Sequence, residues 1–137
     1  MGKQLSIFME NKPGKINRIT GILQKEEINL KAMTIADSGT FGIVKIMTDN
    51  NKKAFNVLKK DNFLVSYQDV VVVEIQDRVG AFHYVAKILE DEKINIEDAY
   101  GFIIEADKKA VLILKVAEPK KVETLLKKQG YKLIEDF

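Results

Sequence analysis

The chain has 137 residues, 46% apolar and 31% charged, and its 22 Lys and Arg stand against 20 Asp and Glu for a net charge of +2. That balance excludes the strongly basic field of a nucleic-acid binder, and the absence of cysteine excludes disulfides, thiolate metal sites, iron–sulfur ligation and cysteine nucleophiles. The longest strongly apolar run, residues 70–73, is far too short to span a bilayer, and the start lacks the basic and apolar stretches of a signal peptide, so a cytoplasmic protein with no membrane partner is expected.

Leu5, Ile7 and Met9 alternate with Gln4, Ser6 and Phe8, the period of a strand. Asn11, Lys12, Pro13 and Gly14 stop it. Ile16, Ile19, Ile22 and Leu23 then form one stripe of a helix, which ends on Lys25, Glu26 and Glu27. Extended structure resumes over 30–36, turns at Asp37, Ser38, Gly39 and Thr40, and returns over 41–47 as a hairpin. A helix over 51–60 buries Ala54, Val57 and Leu58, and residues 63–67 make a fourth strand.

The same order then repeats. A strand over 70–75 leads to a helix from Ala81 that buries Phe82, Val85, Ile88 and Leu89. Strands over 96–104 and 111–116 flank a turn at Asp107 and Lys108, and Pro119 opens a last helix that buries Val122, Leu125 and Leu126. Residues 131–134 form the final strand.

The repetition extends to individual residues. Asn11 and Asp77 each stand 18 positions before an Asn, Asn29 and Asn95, and Gly14 and Gly80 stand 15 before it, at a constant offset of 66. After the hairpins the offset becomes 68, since Leu58 meets Leu126, so a loop has absorbed a small insertion. Two domains follow, 1–69 and 70–137, each too small to be comfortable alone. Each reads as βαββαβ, a ferredoxin-like unit. With Gln68 and Asp69 as the short connector, the expected α+β architecture is two units side by side, an eight-stranded antiparallel sheet with four helices on one face.

The repeated loop can do chemistry. A helix start presents unpaired N–H groups with partial positive charge, to which a carboxylate can dock. Gly14 and Gly80 lack a Cβ and allow close approach. Asn11 and Asp77 can accept from an α-ammonium group, and Asn29 and Asn95, expected beside that loop, offer donor and acceptor. Together these match both ends of a free amino acid. The plainer alternative is punctuation, with Asn11 and Asp77 capping helices. Ile16 and Phe82 either line a side-chain pocket or belong to the core.

The segments 11–14 and 28–30, and again 77–80 and 94–96, resemble the ACT domain, a small-molecule sensing module attached to many enzymes of amino-acid metabolism. The resemblance covers the whole chain as a tandem pair. Residues 6–14, with 34–37 and 41–43, are further similar to stand-alone prokaryotic proteins made of two ACT domains. In the serine-sensing ACT domain of phosphoglycerate dehydrogenase, the polar residue of the first loop and the Asn opening the second strand hold the effector. The resemblance places those roles on Asn11 and Asn29, and by internal equivalence on Asp77 and Asn95. It implies a ligand-binding set of Asn11, Lys12, Pro13, Gly14, Lys15, Ile16 and Asn29, with Asp77, Val79, Gly80, Ala81, Phe82 and Asn95. Val79 departs from the Pro expected before Gly80, and Lys15 from a small or apolar residue, which favours the first loop over the second.

An enzyme needs a proton-transfer or nucleophilic apparatus, and the single histidine, His83, has no paired base in the sequence. The expectation is a non-catalytic regulatory protein with no cofactor and no metal. It would be a homodimer that binds a free amino acid at a domain or subunit interface and signals to an unidentified metabolic enzyme or regulator. The alternative is a dimerisation scaffold without a ligand.

Overall fold

The computed structural model describes residues 1–137. Its elements are β1 (Gly2–Glu10), α1 (Lys15–Lys25), β2 (Leu30–Ser38), β3 (Phe41–Thr48), α2 (Asn51–Lys60), β4 (Leu64–Gln76), α3 (Ala81–Asp91), β5 (Asp98–Glu105), β6 (Lys109–Lys115), α4 (Pro119–Lys128) and β7 (Lys132–Leu133). They divide into two units, residues 3–68 with Phe137, and residues 69–136 with Met1 and Gly2.

In the first unit β1 and β2 both run antiparallel to β3, with Ile7 opposite Val44, which in turn faces Ile35. The strand order is β2-β3-β1-β4. Leu5, Ile7, Val44 and Ile46 form one face of this sheet, and α1 and α2 cover it with Ile19, Leu23, Ala54 and Leu58, all fully buried. The stripe expected on each helix is therefore the stripe that packs. Asn50 starts α2 as its N-cap, its side chain accepting from the Lys53 N–H at 3.1 Å.

The second unit repeats this order, β5-β6-β4-β7. Val71, Val73, Leu112 and Leu114 meet Val85, Leu89, Val122 and Leu126 in a second core. The turns that close the helices match in both units. Glu27 and Lys93 take left-handed φ of 56° and 58°, and Ile28 and Ile94 donate to Leu23 and Leu89 at 2.8 Å each.

The architecture is thus α+β with four helices, as expected, but with seven strands rather than eight. The strands expected over 63–67 and 70–75 are one strand, and Gln68 and Asp69 lie inside it rather than forming a connector. Neither residue breaks a strand, and the Gln68 side chain accepts from Ser6 Oγ at 3.3 Å within the first unit. The last strand is also shorter than expected, two residues opposite Val73 and Glu74.

Tyr100 on β5 gives the fold a pH limit. Burial pushes its phenol well above the ordinary tyrosine range, and the Asp98 carboxylate acts in the same direction. The folded state therefore holds a proton that the unfolded chain releases near pH ~10. That contribution to stability is intact below pH ~10 and lost as pH rises through and beyond it. Urea midpoints measured at pH 9 and pH 11 should fall more for the native chain than for Tyr100→Phe. Equal falls would remove Tyr100 from the account.

Candidate functional site

The turn from β1 to α1 begins where Asn11 donates its backbone N–H to Thr40 O at 3.0 Å. Its side-chain Nδ2 donates to Asp37 Oδ1, also at 3.0 Å. The loop is thereby tied to the tip of the β2–β3 hairpin. Gly42 makes room for this, since a Cβ there would stand 3.3 Å from the Asn11 Cβ. Asn11 is no helix cap. That position falls to Gly14, whose φ of 92° lies in the left-handed region, and no side chain caps the helix. Nothing lies within 4 Å of where a Gly14 Cβ would be. The loop is open above a helix start whose first N–H groups have no intrahelical acceptor.

The remaining residues of this loop divide. Lys12 pairs with Glu10 at 3.1 Å. The Lys12 hydrogen bond and charge, with Lys15 nearby, hold the Glu10 carboxyl below its ordinary range. Pro13 is exposed. Ile16 packs against the first core and is partly withdrawn from any pocket.

The second loop keeps the backbone and changes the polarity. Asp77 N–H donates to Lys108 O at 3.1 Å, and Asp77 Oδ2 accepts from the Asp107 N–H at 2.7 Å. Where Asn11 donates to its hairpin, Asp77 accepts. Gly80 has φ 85°, Val79 is fully exposed, Ala81 is buried, and Phe82, the counterpart of Ile16, is exposed rather than in the core.

The structure does not bring Asn29 beside Asn11. Because β1 and β2 both run antiparallel to β3, they run parallel to each other, with Glu10 and Ser38 both opposite Phe41 and Leu30 opposite Thr48. The loop after β1 and the start of β2 are therefore at opposite ends of the sheet, about 25 Å apart at ~3.3 Å per residue. Asn29 is exposed and exchanges hydrogen bonds with Asp49, its N–H donating to Asp49 Oδ1 at 3.0 Å and its carbonyl accepting from the Asp49 N–H at 3.1 Å. Asp77 and Asn95 are separated in the same way, Gln76 facing Lys109 while Asp98 faces Lys115. The expectation that these Asn residues neighbour the loop of their own unit is corrected by the parallel crossover.

Sequence reasoning also missed a cleft of about 470 Å³ beside the second loop, lined by Arg78, Tyr84 and Tyr131 among others. His83 is exposed, its ring 6.0 Å from that of Tyr84. No group of three His, Asp or Glu side chains is placed to hold a metal ion, and no helix is long and apolar enough to cross a membrane.

Comparison with solved structures finds protein BT0572 from Bacteroides thetaiotaomicron, 34% identical with a TM-score of 0.90, over 97% of this chain and 91% of that one. The ligand-free regulatory subunit of aspartate kinase from Thermus thermophilus shares the fold at 10% identity and TM-score 0.67, covering 93% and 91%. So do the alpha and beta subunits of an aspartokinase, at 17% identity and TM-score 0.60, covering 93% and 96%. No curated protein matches. The family model described as the ACT domain pair matches residues 1–136, and the chain belongs to that family.

Proposed function

We propose that this ACT domain pair, a regulatory module, is a non-catalytic cytoplasmic sensor of a free amino acid. The observation that carries the reading is the first loop. Gly14 leaves it uncovered above the α1 N-terminus, and Asn11, its Nδ2 committed to Asp37, keeps an amide oxygen that can accept from a ligand ammonium. The Lys15 N–H already donates to Lys12 O at 3.3 Å, so the ligand carboxylate takes the N–H groups that follow it in the first helical turn.

Since Asn29 lies at the far end of its own unit, it can join this loop only from a second copy of the chain. A homodimer in which one copy's loop meets the other's Asn29 makes ligand affinity and assembly depend on each other. Occupancy is then passed on to an enzyme or regulator.

The test is thermal unfolding of the chain with each of the twenty amino acids at millimolar concentration. A ligand at 100 times its Kd adds about 2.7 kcal/mol, which moves the midpoint by several degrees. One chemical class should produce that shift, and Asn11→Ala or Asn29→Ala should abolish it. No shift with any amino acid, on folded protein, would overturn the sensor reading.

A second reading is a dimerisation scaffold. It is favoured by Met33 and Ile35 on β2 and by Ile103 and Ile104 on β5, each exposed on an end strand of its own unit. It predicts a dimer indifferent to amino acids.

A further inference from the structure

The two copies differ where the helix after the first loop faces the turn that precedes the unit's last strand segment. In the first unit Arg18 of α1 fills that space. Its Nε and Nη2 bind Asp61 Oδ2 at 3.1 and 2.8 Å, and its guanidinium lies 4.8 Å from the centre of the Phe63 ring. The offsets of 66 and 68 make Tyr84, Gln129 and Tyr131 the counterparts of Arg18, Asp61 and Phe63. The backbone has not changed, since Phe63 and Tyr131 donate to Leu58 and Leu126 at 3.1 and 3.0 Å.

The side chains have changed. Without Arg and Asp the clasp cannot form. The Tyr84 ring instead comes within 3.7 Å of where a Gly80 Cβ would stand, and a cleft of about 470 Å³ remains, within the range of small-molecule sites. Tyr131 is anchored against the second core, so one aromatic wall is fixed, while Tyr84 is exposed and free to adjust.

The charge in the cleft is one-sided. Arg78, Lys108, Lys109 and Lys132 line it against the single carboxylate of Glu74. Lys109 and Lys132 share that carboxylate at 3.9 and 3.7 Å, and Lys108 pairs with Glu105 at 2.8 Å. Arg78 alone is unengaged, its backbone N–H bonded to Gln76 O but its guanidinium bonded to nothing. Its counterpart Lys12 is paired with Glu10. A free guanidinium presents a planar fork that takes phosphate or carboxylate through two hydrogen bonds, and tyrosine faces take flat groups.

We propose that the cleft of the second unit binds an organic anion with a planar body, its phosphate or carboxylate on Arg78 and its ring against Tyr84 and Tyr131. The site uses neither Asn11 nor Asn29, so it does not rest on the first-loop reading, although Ala81 of the second loop lines it. Duplication followed by divergence has placed an Arg–Asp ion pair here in the first unit and a cleft lined by Tyr84 and Tyr131 in the second.

Calorimetric titration of the whole chain tests this, with adenosine 5′-monophosphate, phenylpyruvate and inorganic phosphate as probes. At least one of the two planar anions should bind saturably and at least tenfold more tightly than inorganic phosphate, and which one responds tells phosphate from carboxylate. Arg78→Gln and Tyr84→Ala should each weaken it tenfold or more, whereas Lys25→Gln, which removes an exposed charge at the end of α1, should not. Both altered side chains are exposed, and circular dichroism checks that the variants fold. No saturable binding to the native chain, unchanged binding by Arg78→Gln and Tyr84→Ala, or inorganic phosphate binding as tightly as the planar anions would overturn the proposal.

Discussion

Replacing Leu89 by Ala is expected to lower the free energy of unfolding by about 2–5 kcal/mol. Leu89 lies on α3 with none of its surface exposed, in a core with Val71, Val73, Val85, Leu112, Leu114, Val122 and Leu126. Removing three carbons there forfeits their transfer from water and leaves a cavity, and the β-branched residues around it have little rotamer freedom with which to fill it. Against a total of about 5–15 kcal/mol for a typical domain, that loss is a large fraction. Urea unfolding followed by circular dichroism should show a lower midpoint at unchanged slope. Ile104→Ala, more than half exposed on β5, should cost under about 0.5 kcal/mol. Similar losses for the two would mean that α3 is not seated as described.

Leu89 was legible because its position follows from two independent regularities. The spacing of Val85, Ile88 and Leu89 marks a helix face, and the offset of 66 equates Leu89 with Leu23, also buried. All four helices and most strand limits were readable in this way, because the apolar period and the Gly, Pro and Asp turn residues agree. What failed was the count of strands. Gln68 and Asp69 look like a connector because they are polar, yet polarity alone does not bend a chain, and neither carries the φ constraint of Pro or the freedom of Gly. Residues 64–76 therefore run straight through.

The loop that opens each first helix was legible, but the neighbourhood expected for Asn29 was not. The sequence places Asn11 and Asn29 eighteen positions apart, and a helix between them looks short enough to return the chain to its starting point. A crossover between parallel strands instead delivers Asn29 to the opposite end of the sheet, a consequence of strand direction that residue identities do not carry. The cleft at Arg78 was hidden for a different reason. Its walls come from separate stretches of the chain, and comparison of the repeats rewards likeness, whereas the informative positions are the unlike pairs, Arg18 with Tyr84 and Asp61 with Gln129. Shared residues describe the scaffold, and the differences mark where the side-chain chemistry of the copies has changed.

Gly101→Ala is expected to destabilise the chain by about 1–3 kcal/mol. Its backbone is not in the left-handed region, so the reason for glycine is space rather than φ. Gly101 faces Leu112 across the β5–β6 pair, and a Cβ would stand 2.5 Å from the Val111 carbonyl oxygen and 3.0 Å from Leu112 Cδ2. The Leu112 methyl can turn aside, but the Val111 carbonyl is part of β6 and can move only if the strand does. Strand propensity favours Ala over Gly by a fraction of a kcal/mol, so a neutral or stabilising result would show that the strands separate readily. The loss should therefore appear in two measurements together. The urea midpoint should fall, and amide exchange should quicken in β5 and β6 more than in β1 and β3, because the strain enters where β6 must bow away from Gly101. Uniform quickening would place the strain elsewhere, and no change in either measurement would contradict the close approach of these two strands.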